Sequence, residues 1–161
     1  MNNPEISNFR CVPIETKIAE AIRSQTKDIS GNVIRNVPSG ETGSPCRHCL
    51  DSSAPGEVVR LASYELPRPK GLYWTPSPIF VHATACRRYD RVNHIPEIVR
   101  KSLVSLRSYD ADHQCIYDLG VVVDGAQAEI PLRRALADAR TRFVNIHTAK
   151  PGCLLCTVDR I

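Results

Sequence analysis

Apolar residues recur with a helical period in two stretches of the chain. From Glu15 to Lys27, Ile18, Ala21 and Ile22 line up at helical spacing among good helix formers, which predicts an amphipathic helix. From Ala126 to Arg140, Leu132, Ala135, Leu136 and Ala139 share one face. Pro131 fits only in a first turn, so this second helix should start near Ile130. Strand-like segments fill most of the rest: Phe9 to Ile14, Asn32 to Asn36, Glu57 to Leu66, Pro78 to His82, Ser102 to Tyr109, Cys115 to Val123, Arg142 to Thr148 and Cys153 to Asp159. Pro96 to Lys101 reads as a helical turn, and Asp110-Ala111-Asp112-His113 as the tip of a hairpin. Pro38, Ser39, Gly40 and Gly43 mark a loop from Val37 to Ser44. Most connections are too short for parallel crossovers. The expected fold is therefore α+β, a mainly antiparallel sheet with about two helices packed on one face, in a single domain spanning 1–161.

Composition narrows the class. A chain of 161 residues with 42% apolar and 24% charged residues can bury a core and matches neither disordered nor fibrous proteins. Its longest apolar runs, such as Gly120 to Val123, fall far short of a membrane span. Met1-Asn2-Asn3-Pro4-Glu5 has no basic start leading into an apolar stretch, so no export leader is expected and the cytosol is the expected compartment. In that compartment thiols stay reduced, and the odd number of cysteines, seven, cannot pair completely within one chain. The formal charge of +4 comes mostly from scattered arginines, of which only Arg87, Arg88 and Arg91 cluster, and aromatics make up 6%. That pattern argues against a dedicated nucleic-acid surface and leaves a small polar or anionic molecule as the expected partner.

The strongest local signal is Pro45-Cys46-Arg47-His48-Cys49. Two cysteines separated by two residues can reach one metal when the backbone turns tightly between them, and soft thiolates favour zinc or iron–sulfur chemistry. His82-Ala83-Thr84-Ala85-Cys86 supplies a second half-site if a helical turn begins where the strand ends. Cys46, Cys49, His82 and Cys86 would then form a Cys3His shell for zinc, and a complete four-ligand set is the pattern of a structural metal. Many zinc turns place glycine soon after the second cysteine, whereas Leu50 follows here. His48 reads as an exposed neighbour, with ligand and outer-shell roles as alternatives.

Other residues offer further chemistry. Cys153 and Cys156 should point to opposite faces of a strand, which disfavours a disulfide or a shared ion. Cys153 with His147 is conceivable as a nucleophile pair, set against the ordinary reading of His147 as a structural residue. Arg47, Arg87 and Arg107 are candidates to bind a polar or anionic substrate. His94 and His113 read as loop residues, and Asp110 and Asp112 as turn formers. No phosphate-binding glycine loop, dinucleotide fingerprint or serine-hydrolase elbow occurs.

Pro45-Cys46-Arg47, Pro78-Ile79-Phe80-Val81, Arg107-Ser108-Tyr109-Asp110-Ala111 and His147-Thr148-Ala149-Lys150-Pro151-Gly152-Cys153, with Val158-Asp159-Arg160, occur in that order. Together they resemble the bacterial domain-of-unknown-function family numbered 1203, over nearly the whole chain from Phe9 to Arg160. The resemblance implies a small bacterial protein in which the cysteine and arginine matching Cys46 and Arg47 recur, and it brings no established activity. Ser77 and His113 stand where the resemblance leads one to expect glycine. Three functions stay open at this point: a zinc-stabilised accessory protein, a small enzyme using the metal or the Cys153–His147 neighbourhood, and a thiol redox sensor.

Overall fold

A computed structural model describes residues 8–161 of the chain, so the leader reading of Met1 to Glu5 lies outside the described residues. Among the described residues, eight strands form two antiparallel sheets rather than one. The larger sheet has the order β1-β8-β7-β5-β6, with β1 Phe9–Val12, β5 Leu103–Tyr109, β6 Val121–Asp124, β7 Phe143–Thr148 and β8 Leu154–Arg160. The smaller has the order β2-β3-β4, with β2 Arg35–Pro38, β3 Val58–Glu65 and β4 Pro76–His82. Among the described residues, no helix is long and apolar enough to cross a membrane.

Helices cover one face of each sheet. Leu132, Ala135 and Leu136 of α3 (Glu129–Ala137), with Ile98 and Val99 of α2 (Glu97–Arg100), pack on Val104, Leu106, Val144, Ile146 and Val158. Pro131 falls in the first turn of α3, as its missing N–H requires. Ala19 and Ile22 of α1 (Thr16–Ser24) close a second core over Ala62, Ile79 and Val81. A period-2 pattern runs along β4 and along β5 from Leu103 to Ser108, where alternate residues are buried and those between half-buried or exposed, whereas β7 is buried on both faces.

Two expectations need correction. The Cys115 to Val123 strand breaks into a lone bridge at Cys115, a 3-10 turn over Tyr117–Leu119 and then β6, so β5 and β6 are not joined by a tight hairpin. The second strand forms at Arg35–Pro38, a few residues later than the composition suggested. Its pairing with β3, Pro38 opposite Val58, sets its position, and side-chain pattern alone specifies that register weakly.

The other face of the large sheet is partly crossed by the chain between β3 and β4. Arg68 lies 4.6 Å from the centre of the Phe143 ring and pairs with Asp159 at 2.8 Å. Its carbonyl accepts from the Asn145 amide at 3.0 Å. Farther along the same face, Ser77 Oγ accepts the Leu154 N–H at 2.9 Å, where the small sheet meets the large one. That junction separates two clusters of reactive side chains.

Candidate metal centre

The loop ahead of β3 carries the thiol pair. Gly43 sits at φ +74°, and a Cβ there would run into the Ser53 carbonyl, so the loop can fold back on itself only with glycine. Ser53 Oγ then accepts the Ser44 N–H at 2.8 Å. Cys46 pairs with Phe80 in a parallel bridge, and the Arg47 N–H donates to the Phe80 carbonyl at 3.0 Å. Two residues beyond Phe80, on the same face of β4, stands His82. The long insertion between the two half-sites is thus closed by the β3–β4 hairpin, which returns the chain beside the cysteines.

The thiol turn itself is tight. Leu50 N–H donates to the Cys46 carbonyl at 3.0 Å, and Leu50 adopts φ +55°. That is the left-handed conformation glycine ordinarily fills. Leu50 keeps it because its side chain is buried in the larger core, which offsets a local cost of about 1–2 kcal/mol. Backbone N–H groups of Cys49, His48 and His82 approach the Cys46 sulfur. With the Cys49 thiol donating to it first, they push the Cys46 thiol down to about 4. Cys49 is pushed up, chiefly as the donor of that bond and then by burial. The two shifts are the two ends of one shared proton, which a metal cation would replace.

The ligand atoms of Cys46, Cys49 and His82 all lie within 4.8 Å of one another. His82 Nδ1 is 2.8 Å from Glu57 Oε1, so Nδ1–H donates to the carboxylate and Nε2 is left free. Glu57 is itself fixed by the Ala54 N–H, 2.7 Å from its other oxygen. The Ala54 amide and then His82 hold the Glu57 carboxyl below the usual range. A carboxylate bound to the far nitrogen of a histidine is the outer-shell partner that metal-ligating imidazoles use. Glu57 had no signal in the sequence, because its meeting with His82 depends on the β3–β4 pairing.

Cys86 stands beside this set. Its sulfur is 4.0 Å from that of Cys46, and it accepts from Arg23 Nη2 at 3.0 Å. The expected helical turn does not form: residues 83–86 leave β4 through a bend. His48 is corrected from exposed to buried. Its Nε2 is 2.9 Å from Thr16 Oγ1 and its Nδ1 3.2 Å from Cys86 Sγ, so it packs against the fourth thiol.

The arginine candidates separate. Arg47 is buried and donates through Nε to the Leu154 carbonyl at 2.6 Å, stitching the thiol turn to the large sheet. Burial pushes its guanidinium down to about 10, against the pull of nearby Cys153, Cys46 and Cys156. Arg87 is exposed and paired with Asp90 at 2.8 Å. Arg107 lies half-buried on the large sheet with His147. Cys156 is buried against Cys11, and Cys153 sits just ahead of β8, half-buried. His113 takes φ +62° where a glycine is usual, and Asp110 Oδ1 accepts from Asp112 and Gln114 N–H groups, each at 2.9 Å, as a turn former does.

The profile of a family described as "Protein of unknown function (DUF1203)" matches residues 43–160, from the glycine ahead of the thiol turn to the end of β8. β1, α1 and β2 precede the matched stretch. No curated protein and no solved structure matches the chain.

Proposed function

The chain belongs to the family of unknown function DUF1203, and from that premise we propose that it is a zinc-binding protein whose metal, held by Cys46, Cys49, His82 and Cys86, is structural. The observation that carries the reading is the convergence of two thiols and an imidazole to within 4.8 Å, with that imidazole locked by Glu57. Two bonds of about 2.3 Å from one zinc hold their sulfurs a little under 4 Å apart, and the Cys46–Cys86 separation of 4.0 Å suits such an edge. Three thiolates and one neutral imidazole around a divalent ion leave one negative charge. Arg23, bonded to Cys86, and Arg47, near Cys46, offset it. The ion ties the loop after Gly43 to the end of β4, and so reinforces the backbone bridge between Cys46 and Phe80. Its thiols stay reduced, as in the cytosol.

The Cys86 contacts with Arg23 and His48 favour one rival, a centre with three protein ligands and an open catalytic position. Elemental analysis of protein purified without a chelating tag, alongside Cys46→Ser and Cys86→Ser variants, separates the two. One zinc per chain, lost in both variants, supports the closed shell. Loss only in Cys46→Ser supports the open one. Metal retained in both, or a thermal transition unmoved by excess chelator, rejects the ligand set.

A further inference from the structure

A second cluster lies on the large sheet, on the face that Arg68 crosses. Ser105 stands directly across from His147, and Arg107 across from Asn145, so all four side chains share that face. His147 is 1% exposed. Its Nδ1 is 2.9 Å from the Gly152 carbonyl, which can only accept, so the proton sits on Nδ1. Nε2 is left as a bare acceptor, buried and with no hydrogen-bond partner among the described residues. Orphaned buried polar atoms are rare in folded proteins and call for a partner. The imidazole stays neutral, since burial and the nearby Arg107 push it down to about 4.

Arg107 supplies the other half. It has no carboxylate partner among the described residues, unlike Arg68, Arg133 and Arg140. Its Nη2 lies 3.8 Å from where a Gly152 Cβ would be, which places the guanidinium against the same turn that caps His147. Arg107, but neither His147 nor Gly152, also lines a cleft of about 450 Å³ together with Ser105, Tyr73, Tyr109, Cys115 and Tyr117. That lining contains one cation and no carboxylate. Buried Arg47 adds positive potential behind His147. A cleft of this polarity concentrates anions.

We propose that Arg107 and His147, with the Gly152 turn, form a binding site for a small oxyanion that carries its own hydroxyl group. Arg107 takes the charge through its paired N–H groups, and His147 Nε2 accepts the hydroxyl proton. A monoprotonated phosphoryl group and a hydroxycarboxylate share this chemistry. An oxyanion without a hydroxyl would set its own lone pairs against that of Nε2. The site is separate from the proposed zinc ligands and does not rest on them.

The test is a titration of the full-length, metal-loaded protein with four probes: inorganic phosphate near pH 6.5, sulfate, glycolate and acetate. Binding is followed by calorimetry and by the 15N resonances of the His147 ring. Phosphate, glycolate or both should bind at least about fivefold more tightly than the matched anion lacking a hydroxyl, since that anion leaves a buried acceptor unpaired. Whichever of the two binds identifies the ligand as phosphoryl or carboxylate. Nε2 should shift on binding while Nδ1 stays protonated. Arg107→Gln should weaken binding at least about tenfold with its melting temperature nearly unchanged. Equal affinity for sulfate and phosphate, or for acetate and glycolate, overturns the proposal. So does an unmoved Nε2 resonance at saturating probe, in a measurement that requires no variant to fold.

Discussion

His82 and His147 are built alike and surrounded differently. Each ends a strand or lies near its end, and each has Nδ1–H donating to a fixed oxygen, a Glu57 carboxylate in one case and the Gly152 carbonyl in the other. Both therefore present Nε2 as an acceptor. Around His82 stand thiols and an acid; around His147 stand Arg107 and Arg47. The same tautomer lock suits a soft cation in the first setting and an oxyanion with a donor in the second. A histidine's ligand is thus set less by the imidazole than by the charges packed against it.

The comparison is tested most severely at the thiols. Cys46→Ser should abolish stoichiometric zinc and lower the melting temperature by roughly 10 °C or more, because binding free energy at a structural zinc is folding free energy. Calorimetry of the metal-loaded and chelator-treated protein reads this. A melting temperature equal to that of the parent would mean that the corner is held without metal.

Next in size is the pH response of the other histidine. The folded-state value of about 4 for His147 lies below its ordinary 6.5, so the unfolded chain takes up the proton first as pH falls. Stability is complete above pH 6.5 and is lost as pH drops towards 4, by roughly 3 kcal/mol from this group. Burial and the facing Arg107 and Arg47 are the causes. Urea unfolding of parent and His147→Gln between pH 4 and 7 isolates the contribution, and parallel pH profiles would refute it.

Smaller effects sharpen the contrast. Glu57→Gln keeps the shape of the carboxylate and removes its charge, so zinc affinity should fall about 10–100-fold with the fold intact. Competition with a chromophoric chelator measures it, and an unchanged affinity would show that Glu57 does not tune His82. Arg87→Ala should alter neither metal content nor anion binding and should move the melting temperature by less than about 2 °C, because its exposed pair with Asp90 is weak. A loss of anion binding in that variant would shift the second site away from Arg107.

Much was legible in the chain because the signals were local. The periodic faces of α1 and α3, the first-turn place of Pro131 and most strands follow from spacing. The departures from glycine at Leu50 and His113 proved to be real left-handed positions, held by burial at Leu50 and by turn hydrogen bonds around His113. His48 was misjudged because its burial comes from Thr16 and Cys86, both remote in sequence.

The sequence by itself determined the residue types and local conformations: a C-x2-C turn, a histidine ending one strand, another near a glycine turn. Tertiary structure alone decided which of these met. The β3–β4 hairpin carries His82 back to Cys46, and register across β5 and β7 sets His147 beside Ser105 and Arg107. Such pairings follow from the burial of two separate cores, a sum over many contacts that no short motif encodes.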